Sequence, residues 1–248
     1  FVSSVLTMAV ILFIILVGVL FYMPSGLPAG RKDAKFSEVF SGNRNINWLS
    51  ASRLFLFGAR DVWFVVGVPI YFYAVISDGS DDGNRDAFFL VGTFMAVWTI
   101  FYGIIQGWTP RILKVTSQTN TEILAQAKWW VGLLIVVPLL LAALVWLVPE
   151  PSRTLTSVIV LGLLVFGGIF AVNSSLHSFL ILSFTDAKRV TMDVGFYYMS
   201  NAAGRLLGTV LSGFTYQVGG LPMCLSAATV MIGLSWIGTS QLKLQISS

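Results

Sequence analysis

The chain has one cysteine, Cys224, and one histidine, His177, in 248 residues. A lone thiol forms no intrachain disulfide, and no second Cys or His stands at metal-ligand spacing. Neither a disulfide framework nor a zinc centre is available, which leaves Cys224 as a lipid-facing or packing side chain. Charge is scarce too: Asp, Glu, Lys and Arg make up 10% of the chain, against about 25% in an ordinary soluble domain. Catalytic signatures are missing as well. There is no Gly-rich phosphate loop ending in Lys-Ser/Thr, no HExxH and no GxSxG, so ATP hydrolysis by this chain is not expected. The expectation is a non-enzyme that needs no cofactor.

Apolar residues are what the chain has in excess, at 56% of the total and a mean hydropathy of +0.84. This is the composition of an integral membrane protein, with lipid as its surroundings. The net charge of +4 does not signal nucleic acid, because the basic residues are spread over short loops and do not cluster on one domain. A membrane span needs about 20 apolar residues, and seven stretches qualify, near 2–23, 48–76, 87–108, 129–148, 155–182, 194–218 and 221–242. They are apolar all round and do not alternate, so helices satisfy their backbones and strands do not. The predicted fold is an all-α membrane bundle of about seven transmembrane helices.

Lysine and arginine orient the bundle. Arg31, Lys32, Lys35, Arg44, Arg111, Lys114, Lys128, Lys188, Arg189 and Lys243 fall on one side, whereas only Arg85 and Arg153 fall on the other, where 77–86 is acidic. The linker and the C-terminus are thus expected in the cytoplasm, with residue 1 starting outside. Phe1 enters a span at once, with no charged leader, as the back part of a longer protein would. Residues 1–23 would be the last helix of a front half. Residues 24–47, with Pro24, Gly26, Pro28 and Gly30, would be a cytoplasmic linker, and 48–248 a six-helix half. Two six-helix halves joined by such a linker, with cargo between them at the midplane, are the plan of major facilitator carriers. The missing N-terminal half of the same carrier is therefore an expected partner.

Ionisable residues inside spans are expensive and mark pathways. Arg53, Arg60 and Asp61 interrupt the span at 48–76, and Arg205 lies inside 194–218. Three cations against one anion suit a small anionic cargo. Arg53 and Arg60, seven apart, share a helix face with Phe57 and Phe64. If Trp48 marks the interface, the rise per residue sets Arg53 roughly 8 Å deep and Arg60 roughly 18 Å, and Arg205 comes at roughly 17 Å, one turn past Asn201. A guanidinium fork binds two oxygens of a phosphate, arsenate or carboxylate and keeps its charge. Bland readings stand beside these. Arg53 is shallow enough to snorkel to the headgroups; Arg60 and Asp61, about 100° apart on the helix, could each pair with other helices; and Gly204, Gly208, Ser212 and Gly213 beside Arg205 could serve only close packing. Further polar candidates for the cargo site are Asn173, Tyr102 and Gln106, the last two on a stripe with Thr99. Asp61 and His177 are candidates for proton coupling, His177 standing equally as a hydrogen-bonded packing residue.

Three segments resemble a known family. INWLSASRLFLFGARDVWFVVGVPIYF at 46–72, WTIFYGIIQGWTPRIL at 98–113 and DVGFYYMSNAAGRLLGTVLSGFTYQVGG at 193–220 are similar to the corresponding helices of the ArsJ-type organoarsenical efflux permeases, a major facilitator group. The likeness runs from about residue 31 to the end. It implies export of 1-arseno-3-phosphoglycerate across a bacterial inner membrane, arsenate resistance, and a functional link to glyceraldehyde-3-phosphate dehydrogenase, which makes that ester from arsenate. In Gly107-Trp-Thr-Pro110-Arg111 it further implies a degenerate copy of the facilitator gate loop, with Arg111 as a gate residue. A drug or sugar-phosphate carrier of the same fold, or a non-transporting scaffold, remains open on the residues alone.

Overall fold

The computed structural model describes residues 2–22, 41–148, 150–186 and 189–243. The chain forms two units, Phe1–Lys35 and Phe36–Ser248. The first contains α1 (Val2–Tyr22), whose 18-residue stretch Val5–Tyr22 carries a mean hydropathy of 2.9. Most of the expected linker, including Pro24, Gly26, Pro28, Gly30, Arg31, Lys32 and Lys35, lies outside the described residues, as does Lys188.

The second unit begins with a rod of 33 residues, made of α2 (Arg44–Val62), a π-helical turn (Trp63–Gly67) and α3 (Val68–Ile76). Then come α4 (Asp81–Ile112), a short 3-10 turn (Val115–Ser117), α5 (Asn120–Leu147), α6 (Arg153–Phe184) and α7 (Val190–Ser240). Among the described residues there is no strand, and six helical stretches are long and apolar enough to cross a membrane. The chain is thus an all-α, multi-pass membrane protein in its composition and elements. The last stretch is two arms: Gly219 and Gly220 leave helical geometry, and Gly220 has φ 64, a conformation glycine adopts without steric cost. The second arm folds back on the first, bringing the Thr215 hydroxyl 3.3 Å from Cys224 Sγ. Cys224 is therefore buried packing and does not face lipid.

Helices outrun the apolar spans because their polar ends are capped. Asn43 Oδ1 accepts from the Asn45 amide at 2.9 Å, so residues 44–47, expected in the linker, are helix. Ser80 caps α4, Ser152 caps α6, and Thr119 with Glu122 forms a reciprocal capping box on α5. Lys128 thus lies inside α5 and not in a loop.

One end of the bundle gathers the basic connections. Asn43 Nδ2 donates to the Phe184 carbonyl at 2.9 Å, and Asn45 exchanges two hydrogen bonds with the backbone of Lys243. The start of α2, the end of α6 and the end of α7 therefore meet. Running alongside α6, α4 makes contacts at Trp98 with Leu163 and at Tyr102 with Ser174, so Arg111 ends up at the same end.

The site is positioned by the crossing of α2 and α7. Glycines make it a backbone contact: a Cβ on Gly204 would strike the Leu54 carbonyl, and one on Gly208 the carbonyl of Gly58. Small residues of this kind let membrane helices approach closely. Gly213, expected in the same set, has open space around it. At the π turn the Ser212 hydroxyl accepts from the amides of Val66 and Gly67, at 3.2 and 3.3 Å. The extra residue of that turn shifts the helical phase. Phe64 consequently leaves the Arg53–Phe57–Arg60 stripe and packs on Trp63 and Trp98, its centroid 4.8 Å from the latter.

Candidate functional site

Arg60 stands halfway between Arg44 and Ile76, and Arg205 lies midway along the first arm of α7. Between them is the Asp61 carboxylate. Arg60 folds back onto its neighbour, placing Nε 2.6 Å and Nη2 2.5 Å from Asp61 Oδ1. Arg205 reaches across the glycine crossing and donates from Nε to Asp61 Oδ2 at 3.1 Å. The expectation that Arg60 and Asp61 pair with other helices is thus corrected for Arg60 and correct for Asp61: an arginine is long enough to curl through about 100° to the next residue. Exposure falls steeply across the trio, from 59% for Arg205 to 12% for Arg60 and 2% for Asp61. Arg205 is therefore not buried, because it leaves the crossing on the open side while Gly204 and Gly208 face α2. Two cations share one anion, which leaves a formal charge of +1.

Arg53 is separate and, at 3% exposure, buried. It does not snorkel. Its Nη1 donates to the backbone carbonyl of Ser174 at 3.1 Å and lies 3.2 Å from the Ser174 hydroxyl. The guanidinium carbon lies 4.0 Å from the centroid of Phe57 and 4.9 Å from that of Tyr197. Phe57 also receives Arg60, at 5.3 Å, so the shared helix face holds as read. Tyr102 joins through its hydroxyl, 3.4 Å from Ser174 Oγ. No carboxylate lies within ion-pair distance of Arg53 among the described residues.

Several polar atoms of α2, α6 and α7 lack protein partners among the described residues. Arg53 Nε, Asn173 Oδ1, both ring nitrogens of His177, and Asn201 Oδ1 make no hydrogen bond among the described residues. Asn173 and His177 flank Ser174 on α6 and are fully buried; Asn201 is one turn from Tyr197 on α7. A buried polar group left unpaired costs about 1–3 kcal/mol. Among the described residues, His177 thus has no protein hydrogen-bond partner at either ring nitrogen.

Other expected residues stay apart. Thr99 is exposed and bonded to its own helix at Met95, and Gln106 makes no side-chain hydrogen bond among the described residues. Asn201 does not bond Arg205. Arg111 sits exposed at the end of α4, its side chain without an ion pair among the described residues. Sequence reasoning missed Ser174 as the Arg53 partner and Tyr197 as its second aromatic wall. Their signal was spacing: Tyr197, Asn201 and Arg205 recur every four residues, and Ser174 lies inside the polar patch of α6. No group of three His, Cys, Asp or Glu could hold a metal among the described residues. No family model, no curated protein and no solved structure matches the chain.

Proposed function

We propose that the chain is the cargo-binding part of a secondary carrier that exports an organic anion by alternating access, without enzymatic activity of its own. The observation that supports it most is an unbalanced positive charge at mid-helix: Arg53 buried with no carboxylate at ion-pair distance among the described residues, and Arg60 and Arg205 sharing Asp61. Buried cations are normally paired, and a pair of charges still wanting neutralisation suits a cargo with two anionic ends. Arg205 adds a constraint. A guanidinium bare in hydrocarbon at mid-span costs about 2.5–3.5 kcal/mol or more, so the open side of the α2–α7 crossing faces a wet cavity. A second helical half closes that cavity, as in the major facilitator plan.

The resemblance to ArsJ-type permeases supplies the cargo, 1-arseno-3-phosphoglycerate, and the link to glyceraldehyde-3-phosphate dehydrogenase. The basic end of the bundle is cytoplasmic on the positive-inside rule, in a bacterial inner membrane. The Arg60–Asp61–Arg205 group receives one anionic end, through the exposed Arg205, and Arg53 the other, with Tyr102, Asn173 and Asn201 supplying polar contacts and His177 a proton site.

Everted membrane vesicles from cells expressing the whole gene test this with labelled 3-phosphoglycerate, a stable analogue. Uptake is expected in the wild type and is lost in Arg60→Lys with the protein still inserted, because an ammonium cannot reproduce the two contacts of the fork. Uptake of a neutral dye with both arginines dispensable identifies a drug carrier, and absence of any flux a scaffold.

A further inference from the structure

The grip of the two arginines on Asp61 is unequal. Arg60 is largely enclosed and makes two contacts to Oδ1. Arg205 makes one, through Nε to Oδ2, and is 59% exposed on its open side; its terminal nitrogens bond nothing among the described residues. The carboxylate itself is 2% exposed and held only by these two groups among the described residues. An anion entering from the open side meets Arg205 first, and it offers the oxygen chemistry that Asp61 already provides.

We propose that Asp61 is a built-in counter-anion, occupying Arg60 and Arg205 when the site is empty, and that a phosphate or carboxylate oxygen of the cargo displaces it from Arg205 while Arg60 keeps it. This rests on the anion-carrier reading above. The geometry has two consequences. The empty site never exposes two bare guanidiniums, and Asp61 returns to Arg205 as the cargo leaves, so binding stays weak enough for release. An anion must also out-compete a carboxylate already in place. Singly charged ions gain little from the exchange, whereas a dianionic phosphate gains more.

The decisive variant keeps the charge count. Replacing Asp61→Asn together with Arg60→Gln removes one anion and one cation, leaving Arg205 at the same net charge without its competitor. Titration of 3-phosphoglycerate into the purified full-length protein is expected to show binding about tenfold tighter than in the wild type, the effect of one charge-assisted hydrogen bond no longer broken on binding, with slower release in vesicle counterflow. Asp61→Asn alone serves if the double variant does not fold. Binding equal to or weaker than wild type in a folded variant overturns the proposal. So does failure of both variants to fold, since the ion pair would then be holding the helix crossing together. A wild-type protein that binds no phosphoglycerate is a different result: it removes the anion-carrier reading itself.

Discussion

A guanidinium packed between Phe57 and Tyr197 and bonded, among the described residues, only to Ser174 is a poor device for stability, because desolvating a charge is repaid only by a well-matched counter-charge. Arg53→Met is therefore expected to leave thermal stability unchanged or raise it, by up to about 4 kcal/mol on the scale of buried ion groups replaced by apolar ones, while abolishing anion export. Melting temperature and vesicle flux read the two effects separately, and a variant that exports normally removes Arg53 from the site. Much of this was legible in the residues. Arginines inside apolar runs announce themselves, and the spacing of seven put Arg53 and Arg60 on one ring. What stayed hidden was how each charge is balanced. Pairing across α2 and α7 depends on which residues of two distant segments touch, and the exposure of Arg205 depends on which side of the crossing it leaves.

Two helices can bring Asp61 and Arg205 together only because their backbones nearly touch at Gly58, Gly204 and Gly208. Gly204→Val puts a branched side chain against the Leu54 carbonyl and forces α2 and α7 apart, at a cost of about 1–3 kcal/mol or more for overpacking. It is expected to lower both thermal stability and export, whereas Gly213→Ala, where a Cβ meets nothing, is a silent control in the same helix. Equal stability of the two variants in a fluorescence melting assay would show that the crossing is looser than its backbone contacts imply. Ser212→Ala tests the π turn, since it removes the hydroxyl that accepts from the amides of Val66 and Gly67, with an expected loss of about 0.5–1.5 kcal/mol for a typical hydrogen bond. Nothing in the apolar run Trp63–Gly67 signals that turn. Its partner is 145 residues away, so sequence periodicity carried Phe64 one residue too far around the helix. The α7 break, by contrast, was visible as adjacent glycines between two apolar runs.

At the scale of the molecule, apolar runs of span length gave away the helical bundle, and the spread of Lys and Arg separated its two ends, because both signals are local in sequence. The identity of the proposed cargo is not local: on the proposed reading it depends on how three guanidiniums are spaced, and only the resemblance to organoarsenical permeases supplies arsenic. That claim has a direct test in cells. Expression of the whole gene is expected to confer arsenate resistance only when a glyceraldehyde-3-phosphate dehydrogenase is present to make the arsenylated triose. The physical reason lies in the two separate cationic centres. A cargo with two anionic ends can engage Arg53 and the Arg60–Arg205 pair together, whereas free arsenate engages one and leaves the other uncompensated, and specificity grows from that unpaired charge as much as from the contacts made. Arsenate should for the same reason be a weak competitor of 3-phosphoglycerate uptake in vesicles. Resistance that is the same with and without the dehydrogenase, or export of free arsenate by the purified protein, would falsify the two-ended cargo and favour a simple oxyanion exporter.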